Sequence, residues 1–321
     1  MPALSIAVDV CGGDDLDQIA IGIGMWSSSK TLILKVESAV EGVYALSNGL
    51  AQAFVSAGDT QKVVRAATRL GRIKIQPPGS GRPRRIKPSI ALELPTQMDG
   101  KHFVLCDAGG SVEVDEYDLV TFAHAGATYF QELEFNPYQK KVRVGILAIG
   151  EGNDKLRPIE LQCLELLREV QSFESMGGVE PLQIISGEVD VVICSGRDGN
   201  LALKGVEAGA VMEHSIMRQE FNRGVGSRVA GIWVKLIGTR AFTRVRSRLD
   251  ESRYAGGILF GFEDQHAAIF ICHGRSKAKD IYAALERAHS LGDQTGRMQA
   301  TFKQKLIMYH PDWFPPTKGV A

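Results

Sequence analysis

Val189 to Lys204 reads VDVVICSGRDGNLALK, and this stretch decides the fold that the sequence predicts. It opens with an apolar, β-branched run, passes through a polar turn with two glycines, and ends in residues that suit the first turn of a helix. An uninterrupted apolar run is typical of a strand covered on both faces, as in a parallel sheet under helices. The glycines let the backbone approach a ligand, and a following helix N-terminus favours an anion. The stretch alone fits an ordinary strand-to-helix loop equally well.

The same design recurs along the chain, where apolar runs lead into small, polar or glycine-rich turns that precede helices. Ser, Asp or Thr at such a turn is also the expected helix cap, so capping explains part of the pattern. The repetition predicts an α/β fold, a mostly parallel sheet with helices on both faces in a Rossmann-like three-layer arrangement. The other five turns are Cys11 to Asp15, Ser56 to Thr60, Asp107 to Ser111, Gly150 to Lys155 and His273 to Ser276.

Apolar spacing also predicts the elements between these turns. Helical periods cover Thr31 to Leu50, Leu119 to Phe130, Ile159 to Val170, which leads into the Val189 strand, and the segment from Ser276 through Ala288. We expect one domain over residues 1–290 with a helical insertion at about 205–250, a protruding helical pair. Residues 291–321 form a C-terminal tail in this prediction.

Composition bounds the classes of function. The 321 residues are 44% hydrophobic and 23% charged, with 37 Lys+Arg and 37 Asp+Glu, so no global field favours nucleic acid. Five scattered cysteines without a CxxC pair predict buried thiols in a reducing compartment and no metal site. The first ten residues lack the features of a signal peptide, and no window has the roughly 18 apolar residues of a membrane span. We therefore expect a cytoplasmic protein that is soluble or at most peripheral on the inner face of the membrane.

Two segments are basic. Arg72 to Pro88 reads RIKIQPPGSGRPRRIKP, with six positive residues and no acidic one. It is predicted to be a loop, either a solvated connector or a mobile flap that attracts an anionic substrate.

The second basic segment, Phe221 to Leu249, contains no acidic residue and carries an apolar stripe at helical spacing. Such a helix fits an anionic membrane surface, an acidic protein partner or a dimer interface. The candidate membrane or carrier-protein contacts are Trp233, Lys235, Arg240, Arg244 and Arg248.

Taken in order, the turns resemble those of the phosphate acyltransferase (PlsX) family of bacterial phospholipid synthesis. The matching stretches are IAVDVCGGD, VSAGDT, GR at Gly71-Arg72, DAGGSVEVD, GILAIGE with Lys155, VDVVICSGRDGNLALK and ICHGRS, and they span about Leu4 to Ala288. The resemblance implies an enzyme that makes acyl phosphate from acyl-carrier protein thioester and inorganic phosphate without a cofactor. It also implies a homodimer that contacts the membrane peripherally.

The chemistry of that family assigns roles to residues of these turns. Amides at glycine turns with a Lys hold phosphate, positioned donors stabilise the oxyanion, and His273 serves as the acid or is a structural histidine. The predicted catalytic residues are His273, Lys155, Asn200 and Lys204. The predicted phosphate or substrate contacts are Gly12, Gly13, Asp14, Ser56, Gly58, Thr60, Asp107, Gly109, Gly110, Gly196, Gly199 and Ser276, with Ser56, Thr60, Asn200 and Ser276 as oxyanion donors.

Several residues of the turn motifs differ from the family pattern, and these substitutions bear on phosphate binding. Asp59 and Glu113 replace other residues in their motifs, and Ser195 and Asp198 stand where the family has Asp and Thr. Added negative charge at phosphate turns predicts weaker phosphate binding. The alternatives are therefore an inactive paralogue that binds membrane or carrier protein, and a phosphotransacetylase-like enzyme that uses acetyl coenzyme A. A Cys272–His273 thiol pair is disfavoured because adjacent strand residues point to opposite faces.

Overall fold

The structure, a computed structural model, describes residues 4–26, 31–133, 141–150, 152–224, 256–263 and 268–314. The chain divides into two compact units: Met1–Gly199 with Ser252–Ala321, and Asn200–Glu251. No helix among these described residues is both long and apolar enough to cross a membrane. Most of the second basic segment lies outside the described residues, and so do its candidate contacts Trp233, Lys235, Arg240, Arg244 and Arg248.

A ten-stranded sheet dominates the larger unit, and two further strands form a separate ribbon. In chain order the strands are β1 (Leu4–Asp9), β2 (Thr31–Val36), β3 (Ala53–Ser56), β4 (Lys74–Ile75), β5 (Arg84–Arg85), β6 (Ser89–Pro95), β7 (His102–Cys106), β8 (Val142–Leu147), β9 (Phe173–Val179), β10 (Val191–Ile193), β11 (Gly257–Phe260) and β12 (Ala268–Ile271). The strand order in the sheet is β2-β1-β3-β12-β11-β6-β7-β10-β8-β9, and β4 and β5 form the ribbon.

The sheet contains two parallel sets of strands. β2, β1, β3 and β12 are parallel neighbours, and so are β7, β10, β8 and β9. The three junctions between the sets, β12–β11, β11–β6 and β6–β7, are antiparallel, so the sets run in opposite directions. The predicted, mostly parallel α/β sheet is confirmed. β10 lies between β7 and β8 and is fully buried, as its β-branched run predicts.

The helices connect the strands and cover the sheet. In chain order the helices are α1 (Leu16–Met25), α2 (Ala39–Ser47), α3 (Thr60–Ala67), α4 (Glu116–Glu132), α5 (Pro158–Arg168), α6 (Pro181–Ile185), α7 (Gly196–Asn222) and α8 (Ala278–Tyr309). α4 is buried over most of its length because it packs against β7 and β10 as well as against α5 and α8. In the smaller unit the described residues continue α7 from Asn200 and end just beyond it at Gly224.

The segment from Thr31 to Leu50 is not one helix, as its apolar spacing predicts, but holds β2 followed by α2. Ser38 caps α2, since its Oγ accepts the Glu41 N–H at 3.3 Å. β2 lies at the edge of the sheet beside β1 and is only partly buried, so it lacks the pattern of a central strand. The apolar positions of strand and helix together mimic one helical period.

Two elements that the sequence does not predict, β9 and α6, lie between Val170 and Val189. β9 is the other edge strand and contains Gly177 and Gly178. Glycine is a poor strand former, and an edge strand needs fewer apolar residues, so this segment shows no strand pattern. The prediction that Ile159 to Val170 leads into the central strand is therefore wrong.

The basic segment Arg72 to Pro88 is not a bare loop, because β4 and β5 pair within it. Ile73, Ile75 and Ile86 are fully buried, and Ile73 N–H donates to the Gly261 carbonyl at 3.1 Å. Three buried isoleucines fix the segment to the rest of the larger unit. The expectation of a mobile flap is corrected to a fixed two-stranded ribbon.

The last helix runs over Ala278–Tyr309, well beyond its predicted end at Ala288. Met298, Phe302 and Leu306 are buried in the same hydrophobic core as the strands. The sequence SLGDQTG within this helix has a low helix propensity, which hides the continuation from a periodicity argument. Residues 291–314 are thus part of the core rather than a tail.

Candidate functional site

The six turns fall into two groups, because the two parallel sets of strands run in opposite directions. The turns after β1, β3 and β12 form the first group, and those after β7, β8 and β10 form the second. Within the described residues a hydrogen bond joins the groups: Gln61 Nε2, in the first turn of α3, donates to Gly109 O at 3.2 Å. The candidate site therefore lies where the Ser56 and Asp107 turns approach each other.

A buried hydrogen-bond network fixes the first group. Asp9, at the end of β1, accepts the Ser56 hydroxyl at 2.8 Å and the Cys11 N–H at 3.2 Å. Ser56 Oγ in turn accepts the Gly58 N–H at 3.1 Å. A hydroxyl has one proton to donate, and Asp9 takes it. The prediction that Ser56 donates to an oxyanion is corrected: in this geometry Ser56 holds two turns together.

Glycines at the first turn allow this close approach. A Cβ on Gly12 would lie 2.4 Å from Asp9 Oδ2 and 2.9 Å from Gly58 N, and Gly13 has a φ of +119°. Within the described residues no hydrogen bond is made by the N–H of Gly12 or of Gly13. Both amides are therefore available to an anion, and the phosphate contact at Gly12 and Gly13 stays a prediction.

The turn after β12 closes on the same group. Asp14 N–H donates to Gly274 O at 2.8 Å, and Arg275 N–H donates to His273 Nδ1 at 3.2 Å. Because Nδ1 accepts this bond, a neutral His273 ring carries its proton on Nε2. His273 is exposed, so it can reach a ligand at this turn.

A cavity of about 290 Å³ opens between the turns after β1 and β12. Arg275 is highly exposed, with its Nε 4.0 Å from Asp14 Oδ2. This long, exposed ion pair costs little to exchange for a ligand. The residues that line the cavity are Asp14, Asp15, Gln18, Arg275, Ser276 and Lys277.

The Asp59 substitution has a structural explanation. Asp59 is the N-cap of α3 and accepts the Lys62 N–H at 2.8 Å, while Thr60 begins the helix. A carboxylate is among the preferred N-caps and interacts favourably with the helix dipole. Its charge is therefore partly compensated by the helix that it caps.

The second group is organised by Asp107, which is fully buried. Its Oδ1 accepts N–H groups of Ile90, Gly109 and Gly110 at 2.8, 3.1 and 2.8 Å, and its Oδ2 accepts that of Ser111 at 2.6 Å. Burial raises the pKa of Asp107 to about 6, although the four donors favour its ionised form. The Gly109 and Gly110 amides bind this internal carboxylate, which corrects the prediction that they hold phosphate.

Gly196 and Gly199 meet a packing requirement of the same turn. A Cβ on Gly199 would lie 1.9 Å from Asp107 O, and one on Gly196 would lie 2.5 Å from Asp107 Oδ2. Gly196 N–H also donates to Ser111 O at 2.8 Å. The two glycines of the opening stretch thus let α7 begin directly against the Asp107 turn.

The Ser195 and Asp198 substitutions compensate each other. Ser195 Oγ accepts the Asp198 N–H at 3.1 Å and donates to Asp198 Oδ2 at 2.8 Å. The hydroxyl and the carboxylate have therefore exchanged the positions that they hold in the family motif, and they still form a capping pair. Arg157 Nη2 lies 2.6 Å from Asp198 Oδ2 and balances the added charge.

Three predicted catalytic residues stand apart from these contacts. Lys155 is exposed and pairs with Asp154 at 2.8 Å, which raises the pKa of Lys155. Asn200 and Lys204 belong to the smaller unit, where Lys204 Nζ lies 2.8 Å from Glu207 Oε2. Their roles at the site stay predictions.

The buried thiols are poor nucleophiles. Burial raises the pKa of Cys272 to about 12 and raises that of Cys194 well above its ordinary value. The thiolate is the reactive form of cysteine, so both thiols are inert near neutral pH. This agrees with the sequence-based preference against a Cys–His mechanism.

The sequence missed four residues that shape the site: Asp9, Gln61, Arg157 and Arg275. Asp9 is the last residue of a strand that its apolar neighbours identify, so the signal was a single carboxylate inside an apolar run. Arg275 lies in a motif that was recognised, next to residues that were assigned. Gln61 and Arg157 have no local signal, because their partners are 48 and 41 residues away.

Comparison with known proteins gives a consistent family. The family described as "Fatty acid synthesis protein" matches residues 23–298. A phosphate acyltransferase of Synechococcus elongatus is 34% identical over 243 residues, which cover 75% of this chain and 64% of that protein. One of Shouchella clausii is 31% identical over 275 residues, which cover 85% and 76% respectively. The match to the cyanobacterial relative thus spans just under two thirds of its length.

A solved structure shares the fold. A branched-chain phosphotransacylase from Enterococcus faecalis superposes with a TM-score of 0.51 at 12% sequence identity, covering 92% of this chain and 99% of that one. At this identity the likeness concerns the α/β fold alone.

Proposed function

The chain belongs to the fatty acid synthesis protein family, and from this premise we propose that it is a phosphate acyltransferase. It transfers the acyl group of an acyl-carrier protein thioester to inorganic phosphate, giving an acyl phosphate and the free carrier in bacterial phospholipid synthesis. The observation that carries the proposal is the family match over residues 23–298, which contains five of the six turns.

We place the phosphate at the first group of turns. The amides of Gly12 and Gly13 are available there, and Arg275 supplies an exposed cation at the cavity. The alternative location at Gly109 and Gly110 is less favourable, because the Asp107 carboxylate already occupies those amides. Two like charges at one set of amides would repel each other.

The reaction needs little beyond positioning. A phosphate oxygen attacks the thioester carbonyl carbon, the new C–O bond forms, the C–S bond breaks, and the leaving thiolate takes a proton. His273 is exposed, so we assign its imidazolium form as the proton donor, and the transfer leaves a neutral imidazole. Thr60 and Ser276, in the first group of turns, remain the proposed oxyanion donors.

Charge balance supports an active enzyme over an inactive paralogue. Asp59 caps α3, and Asp198 is paired with Arg157. Glu113 is exposed, and its carbonyl accepts Lys87 Nζ at 2.9 Å. Each of the three substituted acids has a place that does not require it to face the phosphate.

The assembly and location follow from the same premise. We propose a homodimer in the cytoplasm that contacts the inner face of the membrane peripherally through the second basic segment. These three statements rest on the family resemblance and on the basic stripe between Phe221 and Leu249.

A phosphate-dependence assay tests the function. Acyl-carrier protein thioester is incubated with the protein, with and without phosphate, and acyl phosphate is trapped by hydroxylamine. We expect thiol release and hydroxamate only with phosphate. Thioester loss that is independent of phosphate would overturn the proposal. Equal turnover of acetyl coenzyme A would favour the phosphotransacetylase-like alternative, and carrier binding without turnover would favour the inactive paralogue.

Removing the Arg275 cation should weaken phosphate binding specifically. We expect Arg275→Ala to raise the KM for phosphate about ten-fold or more, because an ionic hydrogen bond to a dianion contributes roughly 1.5–3 kcal/mol. Arg275→Lys should restore part of the loss. Arg168→Ala, at an exposed cation on α5, is the matched control. An unchanged phosphate KM in Arg275→Ala would contradict the assignment.

A further inference from the structure

The two-stranded ribbon of β4 and β5 presents an unusual concentration of positive charge. Lys74, Arg82 and Arg85 are exposed, and the whole segment Arg72 to Pro88 contains no acidic residue. None of these three cations forms an ion pair with any residue that the structure describes. In a chain whose total charge is balanced, this is a local positive surface, here named the cationic ribbon.

The register of the ribbon places like charges against each other. Lys74 and Arg85 are direct cross-strand partners, with Ile75 opposite Arg84. Like charges directly opposite destabilise a strand pair. The fold does not need cations at both positions, because the side chains that attach the segment to the core are those of Ile73, Ile75 and Ile86, on its other side. An arrangement that costs stability without serving the core indicates a role in binding.

The cationic ribbon is anchored to the N-terminus of α4. Arg84 joins it to the N-terminus of α4, with Nη2 2.7 Å from Asp115 Oδ1 and Nη1 3.0 Å from Asp118 Oδ1. Lys87 N–H donates to Asp118 Oδ1 at 3.2 Å. The turn from Asp107 to Asp115 therefore lies beside the ribbon, and Gly109 O of that turn accepts Gln61 Nε2 from the first group of turns.

We propose that the cationic ribbon is the docking surface for the acyl-carrier protein, which it receives through an acidic face of that partner. The inference rests on the proposed function, which requires a protein-bound thioester as substrate. A preformed positive surface beside the site steers an acidic partner toward it and costs little ordering entropy on binding. Lys74, Arg82 and Arg85 contact the carrier body, and the acyl thioester reaches the turns.

The test compares a full and a truncated substrate. The triple variant Lys74→Glu, Arg82→Glu, Arg85→Glu should raise the KM for acyl-carrier protein about ten-fold or more, since charge reversal at an interface slows association. Turnover of an acyl-pantetheine thioester, which lacks the carrier body, should stay within about two-fold of wild type. The matched control reverses three exposed cations elsewhere: Lys35→Glu, Lys141→Glu and Arg168→Glu.

Further readouts separate this inference from the proposed function. Binding of unacylated carrier protein, followed by fluorescence anisotropy at increasing salt, should weaken with ionic strength for wild type and be weak and flat for the ribbon variant. If wild-type protein binds the carrier through the ribbon but shows no turnover, the proposed acyltransferase activity is overturned and the docking surface is supported. Equal losses with both substrates, or carrier binding unchanged from the control, would overturn the docking surface. The docking surface would also be overturned if the ribbon variant lost binding to phosphatidylglycerol vesicles but kept its binding to the carrier protein.

Discussion

Replacing Asp107 with alanine is expected to lower the free energy of unfolding by about 4 kcal/mol or more, because four N–H groups, three of them buried, lose their acceptor together. Each buried donor left unsatisfied costs roughly 1–3 kcal/mol. The loss falls where α7 starts, since Gly196 and Gly199 pack against Asp107. We therefore expect reduced phosphate-dependent activity as well as reduced stability.

Asp107→Asn separates hydrogen bonding from side-chain volume. Asparagine can still accept at one oxygen, but its NH₂ group then faces an N–H donor in place of the second oxygen. We expect a loss of roughly half that of the alanine variant. Urea unfolding midpoints measure both, with Asp59→Ala as the control, an exposed helix cap whose removal costs about 1 kcal/mol. A loss in Asp107→Ala no larger than in this control would show that the turn does not depend on the carboxylate.

The central strands were predictable because burial on both faces leaves a direct trace in the sequence. Val191 to Ile193 contains only apolar, β-branched residues, so none of its side chains needs a hydrogen-bond partner. These residues form the fully buried β10. The edge strands β2 and β9 border solvent, so their sequences do not carry this trace. Helix periodicity fails in the same way in α8, where glycines in the sequence conceal a helix that packing maintains.

The turns were predictable as positions, but their chemistry was not. A glycine that frees an amide for a ligand and a glycine that makes room for a carbonyl give the same sequence signal. Gly12 and Gly13 have available amides, whereas Gly199 is needed because Asp107 O is so near. The distinction depends on contacts between distant segments, and on three antiparallel junctions that divide the turns into two groups. Neither these contacts nor the direction of the junctions can be read from the residues of a single turn.

A buried histidine pair should make the stability of this protein depend steeply on mild acid. His124 on α4 and His310 after α8 are both buried, with their Nε2 atoms 3.2 Å apart. A hydrogen bond between two imidazoles needs one donor and one acceptor, so at least one ring must be neutral. His310 also stacks on Trp313, with ring centroids 4.1 Å apart, so the pair fastens the segment that follows α8 to α4.

The direction of the pH effect follows from the lowered pKa values. Burial lowers the pKa of His310 to about 4, and burial, His310 and Lys305 together lower that of His124 well below its ordinary value. In the unfolded chain both rings titrate near 6.5. The stabilisation from neutral rings is thus fully present above pH 6.5 and is lost as the pH falls from there toward 4. Between pH 7 and pH 5 the loss is about 2 kcal/mol for His310.

His124→Gln, His310→Gln and the double variant test this directly, since glutamine keeps hydrogen-bonding groups but does not titrate. Free energies of unfolding in urea at pH 7 and pH 5 give the acid-induced loss for each protein. We expect the loss to be about 2 kcal/mol smaller in His310→Gln than in wild type, and smaller still in the double variant. Carboxylate titration is common to all four proteins and cancels in the difference. Equal acid-induced losses in wild type and double variant would show that the buried pair does not set the acid sensitivity of the fold.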